Sequence, residues 1–309
     1  MEKQNLYIFN FSLFLAKTLI LVTIIGIPLS SLFEELIIFK SEINGAYKVN
    51  RILNTLEEDE IPIFGSSRAE VNFVPSIIDN RDCFNYGITG AQANIWLFFL
   101  EQELKKEKTT PIIINFDLAG LVYSNGDIAN YIPNWNDTKG MLELNDKYHY
   151  HIPFLKYLGQ YEKYLGFFLN EKMNPKKITD NGGSFLKNNW SILKFKELVN
   201  KRENTFASFT LQDKLFAKLN TLINSTDRTI VIVVTPYHKS YFNKFQNIND
   251  VDCFLKEIEM KENVEVIDLR DFINKDNLFF DTTHLNYNGA KIFSRKLKSI
   301  MLQKRIINS

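Results

Sequence analysis

Cysteine is nearly absent. Only Cys83 and Cys253 occur in 309 residues, too few for a disulfide framework or a cysteine-ligated metal cluster. They read as two unpaired structural thiols, with a single bridge between them as the alternative. An excess of one charge is missing too. The 37 Lys and Arg face 36 Asp and Glu, a formal net charge of +1, so no basic field argues for nucleic acid. No internal repeat or low-complexity tract is visible, which removes solenoid and tail-like architectures. Histidine is scarce, at four residues. His149 and His151 stand together in YHYH without a carboxylate or thiol cluster, so a surface or carbohydrate-contact role is expected rather than a metal site. No cofactor is expected.

What the chain has is apolar surface, 45% of its residues, enough for one large domain plus an appendage. The appendage is at the start. Residues 4–33 (QNLYIFNFSLFLAKTLILVTIIGIPLSSLF) carry a single charge, Lys17. About 20 apolar residues cross a bilayer as a helix, so residues 1–33 are expected to be a transmembrane anchor. No small-x-small cleavage site follows Pro28, which argues against a signal peptide. A core helix would show a polar face, and this one shows almost none. Lys17 must snorkel, meet a partner, or mark a shorter span from Thr18 onward. Lys3 before the segment and Glu34 and Glu35 after it favour an N-in orientation, leaving the rest of the chain on the extracytoplasmic side, periplasmic or extracellular.

Residues 34–58 read as a helical connector lifting the domain off the membrane. From residue 59 to 309, five short apolar runs alternate with helical patterns. The runs are IPIF (61–64), CFNYG (83–87), PIIINFDL (111–118), TIVIVVTP (229–236) and VEVIDL (264–269). Three are nearly continuous β-branched runs, as strands covered on both faces are. Strands alternating with helices predict an α/β fold: a doubly wound, parallel, five-stranded sheet of flavodoxin-like type. Residues 119–210 interrupt the rhythm and are rich in Tyr, Phe, Trp, Asn and Gly. An insertion of that length is expected to be a cap or substrate wall.

Two motifs carry chemistry. In IPIFGSSRAE (61–70) an apolar strand breaks at Gly65 into Ser66 and Ser67; in FDTTHLNYNGA (280–290), Asp281 and His284 are three residues apart before the last helix. A serine at a strand-to-helix turn, a histidine and a nearby acid are the parts of a nucleophilic acyl-transfer site. Each motif alone has a plainer reading: Ser66 or Ser67 as a helix N-cap, and D-x-x-H as a capped turn. Ligands in open α/β sheets bind at the carboxyl ends of strands, where Gly65, Gly87, Asp117, Pro236 and Asp268 all fall.

The order of these blocks resembles the SGNH (GDSL-like) hydrolase and acyltransferase superfamily over about residues 59–303, the insertion excepted. The resemblance implies Ser67 as nucleophile, Asp281 as orienting acid and His284 as general base. It implies an oxyanion hole from the N–H groups of Ser67 and of Gly90 in NYGITGAQ. One block departs from the family. After the third strand the family supplies an asparagine, but here the strand runs NFDLAGL, with Asp117 near the glycine position and Ala119 at the asparagine position. Asn115 lies too early, and Asn125 is the residue able to reach back from the insertion. Losing one such donor costs about 100- to 1000-fold in turnover, which favours a slower, dedicated transferase over a lipase.

The GSS variant and the anchor together are similar to a membrane-anchored subgroup. It includes the D-alanyl transfer protein of teichoic-acid modification and the O-acetyltransferases of bacterial exopolysaccharides. That similarity implies an acyl donor, a polysaccharide or teichoic-acid acceptor, and a membrane-bound O-acyltransferase as neighbour. The expected function is extracytoplasmic acyl transfer through an acyl-Ser67 intermediate. The alternatives are a plain carbohydrate esterase and a non-catalytic glycan-binding or scaffold subunit of an envelope assembly. Among supporting residues, Arg68 stands ready to hold an anionic group or to lie exposed on the first turn of a helix. His238, in TPYHKSY, is expected to shape the pocket or to be a solvated loop histidine, and Tyr123, Tyr131 and Trp135 either stack on sugars or pack the insertion.

Overall fold

The computed structural model describes residues 2–79, 83–173, 177–186, 192–201, 207–242 and 244–308. Five strands build the central sheet: β1 (Ile61–Phe64), β2 (Cys83–Asn85), β3 (Ile112–Asn115), β4 (Ile230–Val234) and β5 (Val264–Asp268). Their order is β2-β1-β3-β4-β5, and every pairing is parallel. The chain winds outward from β1 in both directions, so the topological switch point lies between β1 and β3 at their carboxyl ends.

Period-two alternation sends each strand's side chains into two cores. Ile112, Ile114, Ile230, Ile232 and Val234 face the first, where α4 (Ala93–Leu104), α5 (Asp213–Asn224) and α6 (Ile248–Glu259) lie. Ile61, Ile63, Ile113, Val231, Val233 and Ile267 face the second, against α3 (Ser67–Asn72) and α7 (Tyr287–Gln303). The helices answer with matching stripes: Leu215, Leu219 and Ile223 on α5, and Ala290, Phe293, Leu297 and Met301 on α7. Burying such a side chain contributes about 1.5–3 kcal/mol, which is why periodicity locates these helices. The N-terminus of α7 is capped by Asn286, whose side chain accepts from the Gly289 N–H at 3.1 Å.

The segment expected to be a spacer is part of the body. The N-terminal helix, α1, runs Glu2–Leu36, and α2 (Gly45–Asn54) packs Ala46, Val49 and Ile52 into the first core. Lys48, fully buried on the same helix, donates to the Gly87 carbonyl at 2.5 Å. Thus residues 45–54 brace the turn after β2.

The insertion is closed at its neck. Gly120–Leu121 pairs in parallel with Thr210–Leu211, so the excursion leaves and returns at one place. Gly120 sits at φ +90°, and a Cβ there would stand 2.2 Å from the Thr210 carbonyl oxygen, so the close approach demands glycine. Tyr131 and Trp135 are buried in the first core, together with α4 and the sheet, and Tyr123 is half-exposed, so of the three aromatics only Tyr123 is open to a ligand. The insertion also holds a hairpin that strand spacing did not predict: Lys177–Asp180 pairs antiparallel with Gly183–Leu186 around Asn181 and Gly182, both at positive φ. The hairpin docks on edge strand β2, where the Asn85 N–H donates to the Asn181 carbonyl at 2.9 Å. Cys83 is buried in β2 and Cys253 is exposed on α6; neither is bridged.

Mean hydropathy reaches 2.1 within α1, and its most apolar eighteen-residue stretch is not buried against the rest of the chain. By length and composition α1 is able to cross a membrane.

Candidate active site

Ser67 is the first residue of α3, immediately past the carboxyl end of β1. Gly65 makes the turn at φ +148°, with room for no side chain: a Cβ would stand 2.8 Å from the Ala69 Cβ and 2.9 Å from the Asn115 Cβ. Ser66 caps the helix by accepting from the Arg68 N–H at 3.2 Å, so the capping role falls to Ser66 and Ser67 is left for another partner. That partner is His284, whose Nε2 lies 2.8 Å from the Ser67 Oγ. On the far side of the ring, His284 Nδ1 lies 3.0 Å from Asp281 Oδ2 and 3.1 Å from Oδ1.

Asp281 is fixed by its own loop. Its Oδ1 accepts from the Thr283 N–H at 2.8 Å, the Thr283 hydroxyl at 3.0 Å and the His284 N–H at 2.9 Å. Oδ2 is thereby turned to the imidazole. A hydrogen on Nδ1 facing this carboxylate leaves the Nε2 lone pair facing the serine hydroxyl, the arrangement a general base needs. Asp281 is buried and the His284 side chain 22% exposed, so the pair is shielded yet reachable.

Arg68 does not lie exposed on the first turn of its helix. It is 4% exposed, and its guanidinium is held between the loops. It donates to the Thr283 carbonyl, the Thr235 carbonyl (2.8 Å) and hydroxyl, and the Pro236 carbonyl (3.2 Å). Its Nε lies 3.0 Å from Asp117 Oδ1 in an ion pair, although the N–H does not point along that line as a hydrogen bond requires. The guanidinium also stacks on the Tyr237 ring, 3.3 Å from its centroid. Burial pushes the Tyr237 phenol well above its ordinary pKa, and that hydroxyl accepts from the Leu118 N–H at 2.9 Å. Asp117 therefore faces Arg68, with a second contact from the Asn115 Nδ2 at 3.1 Å.

Beneath lies a buried polar set that no motif announced. The Asn72 Nδ2 donates to the Thr235 hydroxyl at 3.0 Å, and its Oδ1 accepts from the Leu285 N–H at 2.9 Å. Thr235 in turn donates to the Asn115 Oδ1 at 3.1 Å. Side chains from β3, the end of β4 and α3 thus tie the serine turn to the histidine loop. A cluster of polar residues at the carboxyl ends of adjacent strands was the available signal.

Gly90 sits in the turn after β2 at φ +80°, exposed, with open space where a Cβ would stand. Glu70, one helical turn from Ser67, holds that turn by accepting from the Thr89 N–H at 3.0 Å and hydroxyl at 2.7 Å. The Gly90 carbonyl accepts from the Ser124 hydroxyl at 3.1 Å, so the Ser124–Asn125 loop is laid on the glycine turn and Asn125 is exposed at its rim.

His238 is not a solvated loop residue. It is 5% exposed, with Nδ1 2.7 Å from the Ser240 hydroxyl and Nε2 3.1 Å from Asp276 Oδ1. Its N–H donates to the Thr282 carbonyl at 3.0 Å, which makes it a prop for the Asp281–His284 loop. Within the insertion, His149 packs on the Tyr150 ring, and the His151 Nε2 lies 2.7 Å from Asp146 Oδ1.

No family model matches this chain, and no curated protein does. Among solved structures, one reported as "a putative platelet activating factor from Streptococcus pneumonia" is similar at 12% identity and a TM-score of 0.42. The likeness covers 88% of this chain and 97% of that one.

Proposed function

We propose that this chain is an SGNH-type serine acyltransferase, anchored by α1 and working on the extracytoplasmic side of a membrane. The observation that carries the reading is the unbroken relay from Ser67 Oγ to His284 Nε2 and from His284 Nδ1 to Asp281, at 2.8 and 3.0 Å. In the first step His284 accepts the hydroxyl proton as Ser67 Oγ bonds to the acyl carbon of the donor. The N–H groups of Ser67 and Gly90 receive the oxyanion. When the carbon–leaving-group bond breaks, His284 returns the proton to the leaving group and acyl-Ser67 remains. In the second step His284 takes a proton from an acceptor hydroxyl on an envelope polysaccharide or teichoic acid. The new ester forms and Ser67 regains its hydrogen. The insertion is the wall that keeps water out, and Asn125, laid on the Gly90 turn, is the donor in place of the family's missing asparagine. A membrane-bound O-acyltransferase is the partner that would deliver acyl groups across the bilayer.

The test is intact mass of the full chain in detergent after exposure to a fluorophosphonate. The full chain is required because Phe33 and Glu34 of α1 are packed into the insertion. One adduct on wild type, absent in Ser67→Ala and His284→Ala, supports the reading. A folded wild type that takes no adduct overturns it in favour of a non-catalytic glycan-binding subunit. Release of free acid without an acceptor would make it an esterase.

A further inference from the structure

The lower end of α1 is not bare. Ser30 is 4% exposed in a helix whose Leu29 and Leu32 stand open, and what covers it is the insertion. A cleft of about 230 Å³ separates Ile27, Ser30 and Ser31 of α1 from Trp135, Tyr150 and Pro153. At 1.5 Å per residue Ile27 lies about 10 Å before Glu34, so the insertion reaches two turns back along the apolar run. One level up, the Phe33 ring centroid is 5.3 Å from Tyr157 and 5.1 Å from Tyr161. Glu34 is paired with Lys156 and accepts from the Tyr157 hydroxyl. An ion pair between two aromatic contacts fixes the depth of the insertion against the helix.

The same stretch of chain presents a second face. Tyr150 and Tyr157 point inward and are buried, whereas Tyr148, Ile152, Leu155 and Leu158 are 94, 46, 47 and 62% exposed. Four large side chains left open within eleven residues are costly in water, at about 25 cal/mol for each Å² of apolar surface. The segment that carries this face meets α1 through Tyr150, Pro153 and Lys156, in the cleft that also holds the open side chain of Ile27. The surroundings suit a lipid headgroup zone: Lys147 is exposed beside this face, its Nζ 5.9 Å from the Tyr150 ring centroid, and offers a cation to phosphates.

We infer that residues 148–158 form a foot lying in the headgroup boundary of the bilayer beside α1, its occupant being lipid. The inference rests on the reading of α1 as a spanning helix, because that places the bilayer surface at the level of Ile27 to Glu34. With two attachments rather than one, the domain does not swing on a tether, and the Ser67 site keeps one height above the membrane.

The experiment uses full-length protein in phosphatidylcholine vesicles, in a Cys253→Ser background. A nitroxide is placed singly on Ile152→Cys, Leu158→Cys, Leu21→Cys within the span, and Lys105→Cys on the exposed end of α4. Collision rates with oxygen, which partitions into lipid, and with a water-soluble nickel chelate report depth. The expected result is an oxygen-to-nickel ratio at residues 152 and 158 several-fold above that at 105 and below that at 21. Aqueous values at 152 and 158 with a deep 21 would overturn the foot and leave the span standing. An aqueous value at 21 would overturn both. Shielding of 152 and 158 from both reagents would replace lipid with a second copy of the chain, and so overturn the inference.

Discussion

The guanidinium of Arg68 donates to the backbone carbonyl of Thr283, so the residue after the candidate nucleophile grips the residue before the candidate base. Ser67 and His284 are 217 positions apart in the chain, and their 2.8 Å separation depends on this short bridge as well as on the sheet.

Cutting the bridge should slow chemistry without unfolding the protein. Arg68→Gln removes the charge and most of the donors, and Arg68→Lys cannot reach Thr283, Thr235 and Pro236 together. Because misplacement by about 1 Å costs on the order of 100-fold, fluorophosphonate labelling of either variant should slow by roughly 10- to 100-fold. A change below about twofold, with the circular dichroism spectrum intact, would show that the 281–284 loop holds itself.

Asp281→Asn tests the relay more sharply. The amide keeps the shape but favours the wrong imidazole tautomer, and a comparable exchange in a serine protease costs about 10⁴ in turnover. Labelling should fall by several orders of magnitude while thermal stability changes little. Retention of the wild-type rate would separate Asp281 from the chemistry.

The buried set below the site predicts a stability effect instead. Asn72→Ala strands the Leu285 N–H and removes one partner of Thr235. A buried group left unpaired costs about 1–3 kcal/mol, so the variant should unfold at a measurably lower temperature. An unchanged melting temperature would mean that water replaces the amide at no cost.

Gly87→Ala brings fold and site together. A Cβ there would stand 2.4 Å from the Glu70 backbone nitrogen, inside the helix that begins with Ser67. Overpacking of this kind costs about 1–3 kcal/mol, and α3 must shift to relieve it. Melting temperature and labelling rate should fall together; a loss of stability with normal labelling would place the displacement elsewhere.

A pH response is expected far from the site. Burial raises the cost of the Glu103 carboxylate, but Lys108, Lys106 and Arg228 outweigh it and hold the carboxyl below its ordinary 4.5. A group depressed in the folded state stabilises above its unfolded pKa, and that contribution is lost as pH falls through the folded value. Wild type should therefore lose stability below about pH 4.5. Glu103→Gln, which leaves Arg228 and Lys108 buried without their carboxylate, should be about 3–5 kcal/mol less stable at neutral pH, with a flatter acid limb. Parallel acid limbs would assign the transition to other carboxylates.

Strand runs, helix stripes and the two chemistry-bearing motifs were legible in the sequence because each is a local signal. Ile112 and Ile114 betray a buried strand by themselves, and Ser67, Asp281 and His284 each sit in a short, recognisable turn. Arg68 was not legible, since its burial depends on Tyr237, Thr235 and Asp117 arriving from other segments. The same holds for Asn72 and Glu70, whose partners lie in loops distant along the chain. Residues 45–54 misled for the opposite reason: a polar surface around Ala46, Val49 and Ile52 looks like a spacer until the sheet supplies something to pack against. The hairpin around Asn181 and Gly182 had the right turn residues but no alternating strands beside them.

The paired neck at Gly120–Leu121 and Thr210–Leu211 has a consequence for how this chain can change over generations. Roughly ninety residues leave and return at one two-residue clasp, and the entropy of closing a loop rises only slowly with its length. Length can thus change between the clasp and the insertion's other ties to the body, at Asn181 on β2 and Met141 on α4, while the sheet and the Ser67 turn stay in register.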